Sequence, residues 1–375
     1  MRRLHRCFLL CLGLAPLLAA ATLERGTIEG AHYAIARPEK AWNGRLLLLA
    51  HGYRAENAPL VADLFPEHLA CRTLLDEGWI VAKTSYRRNG LILADAMADL
   101  DNLRAHIAAS HGQPQLVLLE GESMGGMVVT LLAERGDGRY QGAVAIGAAL
   151  QLREAGAITG VNLQPKLPLL FLTNQSELEG PKNYVGHVPP DAAGEVVPPV
   201  LFRISRDGHV NVNQRERLLA LRALVAWLEN GRGALPAPSS ADPRGPSGAP
   251  SAEFYDATQV PEPQPSKVIL DADRRGFTAR VIEVSAVYGN VFIDAQPADF
   301  QAIGLSPGSY FQLSVGEQHY RVRYGRDFDS VPRGDWVVFP NADGFFWLSR
   351  NWANAASTAG LKEGDAVGLR RYEVK

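Results

Sequence analysis

Short apolar runs alternate with amphipathic helical patterns up to Asn230, and this alternation restricts the possible folds more than any other feature. The runs lie at 45–51, 79–85, 115–121, 142–148, 167–173 and 199–205. Their nearly continuous apolarity is typical of strands that are buried on both faces, as in a parallel sheet. Residues 93–107 and 214–230 each place apolar side chains on one helical face. The alternation predicts an α/β domain with a mostly parallel sheet and helices on both faces.

The C-terminal part of the chain has a different pattern. Over 267–375, helical periodicity fades, and strand-like runs are separated by Gly, Asp and Pro turns. This pattern predicts a small all-β domain, a barrel or a sandwich. Residues 234–266 contain eight prolines between Pro236 and Pro265, and such a composition is typical of an extended linker. We therefore expect separable domains at 22–233 and 267–375.

The first 21 residues have the pattern of a signal peptide. Arg2, Arg3 and Arg6 precede an apolar run that ends in small residues at Ala19–Ala21. The run of about 15 residues is shorter than the roughly 20 that span a bilayer, although an uncleaved anchor remains an alternative. We expect a secreted or periplasmic protein without a stable membrane anchor. Cleavage would leave Cys71 as the single cysteine, which excludes an intramolecular disulfide.

Composition argues against several classes of function. The net charge of the 375-residue chain is −2, so there is no basic surplus that would indicate a nucleic-acid partner. No Cys/His cluster has the spacing of a zinc site. We expect neither a metal nor a cofactor.

The segment "LVLLEGESMGG" at 116–126 contains the strongest catalytic motif. Gly121, Ser123 and Gly125 fit G-x-S-x-G, with a strand-like run before the motif and a helical pattern after it. In that context a sharp turn presents the serine hydroxyl at the carboxyl end of a sheet. We predict that Ser123 is a nucleophile rather than a loop serine flanked by glycines.

A serine nucleophile needs a base and an orienting acid, which follow it in the order acid, histidine in this type of fold. His209 lies in "DGHVN", between the last strand-like run and the last helical pattern, and His187 is its rival. Glu177 in "NQSELEG" follows the preceding strand-like run, and Glu179 is the alternative acid. We predict His209 as base and Glu177 as acid.

An oxyanion hole needs two backbone N–H donors. We predict that these belong to Met124, at the start of the helix after Ser123, and to Tyr53, in the loop after "RLLLLAHGYR". His51 and Gly52 would then shape the turn.

Residues 26–232 resemble an α/β-hydrolase, because "AHGYR", "GESMGG", "NQSE" and "DGHVN" occur in the order of that family. "SYRRNG" and "EGESMGG" resemble secreted esterases and prolyl-oligopeptidase-like members. The resemblance implies acyl transfer to water through an acyl-Ser123 intermediate. Many members carry aspartate where this chain has Glu177. The short segment between the runs at 142–148 and 167–173 excludes a large cap domain there.

Residues 270–375 are similar to the C-terminal β domain of the S-adenosylmethionine hydroxide adenosyltransferase and fluorinase family. The resemblance rests on "YGNVFID", on the stretch from "YGRDF" to "NWANAAS" at 324–357, and on "GLKEGDAVGLR". It implies that Asn290, Phe328, Arg350 and Asn354 fall near nucleoside-contacting positions, and that the domain supports a homo-oligomer. The catalytic N-terminal domain of that family is absent from this sequence. Asn, Gly and aromatic residues in tight β turns also have a purely structural explanation.

Three functions remain open from the sequence. The first is a secreted serine hydrolase that acts on a small carboxylic ester. The second is a serine peptidase of prolyl-oligopeptidase type. The third is a non-catalytic protein that binds a nucleoside-like ligand through its β domain.

Overall fold

The structure is a computed structural model that describes residues 22–150, 152–154, 157–187, 195–241, 253–262 and 266–372. The predicted signal peptide, residues 1–21, lies outside the described residues. Residues 242–252 and 263–265 of the predicted linker also lie outside them.

One large sheet dominates the N-terminal part of the described chain. Its strands are β1 (Thr22–Ile28), β2 (Ala31–Arg37), β3 (Arg45–Ala50), β4 (Ile80–Thr84), β5 (Leu116–Glu122), β6 (Gly142–Ile146), β9 (Leu169–Asn174), β10 (Val200–Ile204), β11 (Ser240–Ala241) and β12 (Glu253–Asp256), and a separate hairpin consists of β7 (Leu152–Glu154) and β8 (Ala157–Thr159). The strand order is β1-β2-β4-β3-β5-β6-β9-β10-β12-β11. Pairing from β4 to β12 is parallel, whereas β1, β2 and β11 pair antiparallel at the edges.

Helices cover both faces of this sheet, as the sequence predicts. They are α1 (Leu69–Asp76), α2 (Leu93–His111), α3 (Met124–Arg135), α4 (Glu179–His187) and α5 (Gln214–Asn230). Leu100 of α2, Met127 of α3 and Tyr184 of α4 pack in one apolar core. Leu74 of α1 and Leu221 of α5 pack in a second core on the opposite face. The predicted α/β-hydrolase architecture is confirmed.

The C-terminal part forms a closed β-barrel, which confirms the prediction of a small all-β domain. Its elements are β13 (Ile269–Leu270), β14 (Gly276–Val284), β15 (Val291–Ile293), α6 (Pro297–Ala302), β16 (Tyr310–Val315), β17 (Gln318–Tyr324), β18 (Trp336–Pro340), β19 (Phe346–Arg350), α7 (Ala355–Ala359) and β20 (Ala366–Arg371). Pairing of β14 with both β15 and β20 closes the ring. Phe300 of α6 stacks on Phe346 at 4.3 Å between ring centroids, inside the barrel core.

The structure differs from the sequence expectation in the proline-rich segment. The sequence predicts a linker over residues 234–266. Within this range, residues 253–256 form β12, which pairs parallel with β10. Phe254 and Tyr255 are buried against the two cores of the α/β domain. Gln259 binds the start of α5, because its N–H donates to Glu216 and its carbonyl accepts from Asn213. This part of the segment belongs physically to the large sheet, since it completes one edge.

Candidate active site

Ser123 lies in a sharp turn between β5 and α3. Its backbone has φ 54° and ψ −114°, a left-handed region that non-glycine residues rarely adopt. A Cβ on Gly121 would lie 2.1 Å from the carbonyl oxygen of Gly125, and one on Gly125 would lie 2.1 Å from that of Ala50. Both glycines are therefore required by close backbone approach, and the turn presents the Ser123 hydroxyl at the carboxyl edge of the sheet.

Three predicted side chains meet in one hydrogen-bonded line. The Nε2 atom of His209 lies 2.8 Å from Oγ of Ser123. With the proton on Nδ1, His209 donates to Oε1 of Glu177 in a short hydrogen bond. Glu177 is thus the acid that contacts the imidazole. The alternative acid, Glu179, is the first residue of α4. His187, the rival histidine, ends that helix.

The environment of His209 suits a base. The hydrogen bond to Glu177 raises the pKa of His209, burial opposes this, and the charges of Glu177 and Glu122 raise it further. The side chain is 56% exposed, so substrate and water can reach the imidazole.

The loops that carry Glu177 and His209 are fastened to each other by residues that sequence reasoning missed. The amide nitrogen of Asn174 donates to the carbonyls of Arg206 and Asn211 at 3.1 and 2.9 Å, and its oxygen accepts from the N–H of Asn211 at 2.9 Å. Oγ of Ser176 accepts from the N–H of Gly208 at 2.9 Å. The sequence did contain a sign of these contacts, because "NQSE" and "DGHVN" include polar residues in addition to the catalytic Glu177 and His209.

The loop after β3 lies directly over the nucleophile. A Cβ on Gly52 would lie 3.2 Å from Cβ of Ser123. The backbone N–H groups of Tyr53 and Met124 have no hydrogen-bond acceptor among the described residues, which leaves both available to an oxyanion. The side chain of His51 is buried between the carbonyls of Gly52 and Ser85. Burial, together with Arg54 and Lys83, lowers the pKa of His51 to about 3, although the two carbonyl contacts oppose this.

A buried charge cluster lies beneath the turn and was not predicted. Arg217 of α5 binds Glu120 at 2.7 Å and also binds Glu122. Burial would raise the pKa of Glu122, but Arg217 and Lys83 outweigh burial and lower it. Burial raises the pKa of Glu120 more than Arg217 lowers it. Glu122, next to the nucleophile, therefore keeps a negative charge that favours an imidazolium at His209.

The four β-domain residues that the resemblance placed near a nucleoside have structural contacts. The guanidinium of Arg350 donates to the carbonyl of Gly334 at 2.7 Å and to Thr358. The side chain of Asn354 caps α7 by accepting from the N–H of Ser357 at 2.7 Å. Phe328 packs against other aromatic rings, Phe339 and Trp347, and Asn290 is buried next to Gly289. The side chains of Arg350 and Asn354 thus bind groups of the barrel itself, which is the purely structural role that the sequence analysis gave as the alternative to nucleoside contact.

Two kinds of feature are absent from the described residues. No helix there is long and apolar enough to cross a membrane. No group of three or more His, Cys, Asp or Glu side chains is arranged to hold a metal ion in that part of the chain.

Family models match two separate segments. Residues 92–181 match the model described as "Serine aminopeptidase, S33". Residues 280–368 match "SAM hydroxide adenosyltransferase C-terminal domain". Both resemblances inferred from the sequence are confirmed for these segments. No curated protein sequence matches the chain.

The chain has matches of low identity and low TM-score among solved structures. A putative dipeptidyl aminopeptidase IV from Bacteroides ovatus ATCC 8483 is 15% identical with a TM-score of 0.42, covering 56% of this chain and 36% of that chain. Acylaminoacyl peptidase from Pyrococcus horikoshii is 9% identical with a TM-score of 0.41, covering 60% and 44%. An uncharacterized conserved protein from Thermotoga maritima is 19% identical with a TM-score of 0.27, covering 34% and 45%. The present chain thus spans less than half the length of each of these three.

Each half of the chain thus matches a different protein family. The chain joins an α/β-hydrolase fold, part of which matches the S33 serine aminopeptidase family, to a β-barrel that matches the C-terminal domain of SAM hydroxide adenosyltransferases.

Proposed function

We propose that this protein is a serine hydrolase that cleaves a carboxylic ester through an acyl-Ser123 intermediate. The observation that carries the proposal is the hydrogen-bonded line from Ser123 through His209 to Glu177, built on a strained turn. A loop serine without a catalytic role would need neither the strain nor the aligned imidazole.

Acylation follows from this geometry. As Oγ of Ser123 attacks the ester carbonyl carbon, its proton passes to Nε2 of His209, and Glu177 stabilises the resulting imidazolium. The negative charge moves to the carbonyl oxygen, where the N–H groups of Met124 and Tyr53 would donate hydrogen bonds. When the tetrahedral intermediate collapses, the carbon–oxygen bond to the alcohol breaks and His209 returns the proton to that alcohol.

Deacylation repeats the sequence with water. His209 takes a proton from water as the water oxygen attacks the acyl-Ser123 carbonyl carbon. The bond to Oγ then breaks, the proton returns to Ser123, and a carboxylic acid leaves. The exposure of His209 gives water access for this step.

A peptidase is the second candidate, and a specific observation favours it. The segment that matches the S33 serine aminopeptidase model, residues 92–181, includes the nucleophile turn. The same atoms cleave an amide when His209 protonates the leaving amine. The described part of the connection from β6 to β9 contains only a small hairpin, which is compatible with small esters and with small amides, so a substrate panel has to decide between them.

The test combines a labelling probe with a substrate panel. Fluorophosphonate should label the wild-type protein at Ser123, and short-chain p-nitrophenyl esters should be hydrolysed faster than aminoacyl and peptidyl anilides. Ser123→Ala should abolish labelling and reduce turnover by about 10⁴–10⁶-fold. Ser110→Ala serves as the control serine, since Ser110 is exposed near the end of α2 and its hydroxyl donates only to the carbonyl of His106 in the same helix.

Three outcomes would contradict the proposal in different ways. Retention of a tenth of the turnover in Ser123→Ala would remove the nucleophile assignment. Preference for anilides would establish the peptidase. Absence of labelling in folded wild-type protein would favour the non-catalytic binding protein, the third function that the sequence left open.

We further propose that the protein is exported. The support is the N-terminal pattern of three arginines, an apolar run and small residues at Ala19–Ala21. Expression with the native N-terminus should give a mature protein outside the cytoplasm that begins near residue 22, as measured by fractionation and N-terminal sequencing. An intact N-terminus in a membrane fraction would instead establish an anchor.

A further inference from the structure

The β-barrel contacts the α/β domain beside the nucleophile. The hydroxyl of Tyr288 donates to the backbone carbonyl of Tyr53 at 2.7 Å, across 235 residues of sequence. Tyr53 is the residue whose N–H we assign to the oxyanion hole. The bound carbonyl belongs to the Tyr53–Arg54 peptide group, which directly follows the Gly52–Tyr53 peptide group that carries this N–H, and Gly52 packs on Ser123.

The turn that carries Tyr288 is firmly held within the barrel. It joins β14 to β15, and the N–H of Tyr288 donates to Oγ of Ser285 at 3.1 Å. Gly289 has φ 67°, and a Cβ there would lie 2.0 Å from Oδ1 of Asn354. The carbonyl of Gly289 accepts from the N–H of Ala356 in α7 at 2.9 Å. Asn354, which the sequence analysis placed near a ligand, therefore helps to fix this turn.

The loop that receives the contact is also held by the next residue, Arg54. The buried guanidinium of Arg54 donates to Asp63 at 2.6 Å and to the carbonyl of Val61 at 2.5 Å. The carbonyl of Arg54 accepts from the N–H of Gly90 at 2.9 Å. Tyr53 lies between this anchor and Gly52, so Tyr288 supports the loop next to the residue that packs on Ser123.

A second contact reaches the other catalytic loop. Oδ1 of Asp343 accepts from the N–H of Gln214 at 2.8 Å, at the start of α5 and five residues after His209. Glu283 of β14 lies 3.6 Å from His68, before α1. The barrel therefore meets the α/β domain at the Tyr53 loop, before α1 and at the start of α5.

The Tyr288 hydroxyl is suited to donate. Burial raises the pKa of Tyr288, Arg54 opposes this, and Asp63 and Glu122 raise it further, so the phenol stays protonated at neutral pH. The rings of Tyr53 and Tyr288 are nevertheless 44% and 49% exposed. Removing the hydroxyl therefore leaves no large void.

We propose that Tyr288 is a positioning residue for the hydrolase, holding the Tyr53 loop so that its N–H points at the oxyanion. This inference rests on the proposed function. It makes the β-barrel part of the active site rather than an independent module. Misplacing reacting groups by about 1 Å can cost roughly 100-fold in rate, so partial loss of one loop support should cost less than that.

The experiment uses the full chain with Tyr288→Phe, and Tyr310→Phe as the matched control. Tyr310 is an exposed tyrosine of the same barrel that stacks under Arg321 at 4.0 Å, and the change keeps its ring. With p-nitrophenyl acetate, Tyr288→Phe should lower kcat about tenfold per fluorophosphonate-titrated serine, with KM unchanged within about twofold. The rate of fluorophosphonate labelling should fall in parallel, and Tyr310→Phe should match wild type.

The outcomes separate this inference from the proposed function. If wild type hydrolyses the ester and Tyr288→Phe has the same kcat per titrated serine, the positioning role is wrong and the hydrolase stands. A lower melting temperature with unchanged kcat per titrated serine would mean that Tyr288 only joins the domains, which also overturns the inference. If folded wild type neither labels nor hydrolyses, both proposals fail.

Discussion

Glu177 and Glu179 differ by two positions, and only one of them contacts His209. Glu177→Gln keeps an acceptor for the Nδ1 proton but removes the charge that stabilises an imidazolium. We expect kcat/KM to fall by about 10²–10⁴-fold, as for loss of charge at a triad acid. Glu179→Gln is the control, since Glu179 begins α4, and it should stay within about twofold of wild type by ester assay. Equal losses in the two variants would contradict the assignment.

The pH profile reports on the same contact. His209 acts as a base only when neutral, so activity is lost as pH falls through its pKa. Because Glu177 raises that pKa above 6.5, the acidic limb of kcat/KM for wild type should lie above pH 6.5. Glu177→Gln should move the limb to lower pH while the plateau falls. A limb that stays in place in this variant would show that another group controls the titration.

Chain order and local context were sufficient to predict Ser123, His209 and Glu177 as one cluster, because a nucleophile turn needs its base and acid at the same sheet edge. The supports beneath them were not predictable in this way. Arg217 lies on the buried face of α5, where its partners Glu120 and Glu122 are visible only once β5 and α5 are packed.

At the scale of elements, β12 shows that a proline-rich composition does not define a linker. Phe254 is buried, and the guanidinium of Arg203 lies 4.2 Å from the centre of its ring. We expect Phe254→Ala to lower the free energy of unfolding by about 3–5 kcal/mol. Val260→Ala, at a side chain that is 76% exposed, should change it by less than about 0.5 kcal/mol. Urea unfolding followed by circular dichroism measures both, and equal midpoints would contradict a structural role for β12.

Elements with strong local patterns were predicted well. Helix α5 occupies 214–230, as predicted, because its apolar face and the Asn213–Glu216 capping box act locally. Strand β12 was missed because its four residues stand between prolines, and its pairing with β10 joins residues about 50 positions apart. The β1–β2 hairpin was not predicted either, since its partly exposed strands lack the apolar runs of the central sheet.

At the scale of the whole molecule, the interface between barrel and sheet decides how separable the halves are. A chain of residues 22–262 keeps β12 but loses the contacts of Tyr288 and Asp343. We expect it to fold, and to hydrolyse p-nitrophenyl acetate with a kcat at least tenfold below that of the full chain. Circular dichroism checks folding, and light scattering on both chains tests whether the barrel supports a homo-oligomer. A folded short chain with full activity would show that the barrel has no part in catalysis.

Such contacts between distant segments were beyond sequence reasoning. Neither Tyr288 nor Asp343 stands in a pattern that predicts its partner. Tyr288 contacts a backbone carbonyl and Asp343 a backbone N–H, and nearly every residue of a chain offers both groups. The resemblance of the barrel to another family predicted nucleoside-contacting positions and gave no indication of contacts with the α/β domain.

The contact between Tyr288 and Tyr53 also has a consequence in time. A ribosome adds about 5–20 residues each second, so residue 288 emerges roughly ten to fifty seconds after residue 53. During that interval the nascent α/β half can already fold, yet the loop over its nucleophile lacks one support. Synthesis itself would then delay the full support of this loop until the turn that carries Tyr288 has left the ribosome.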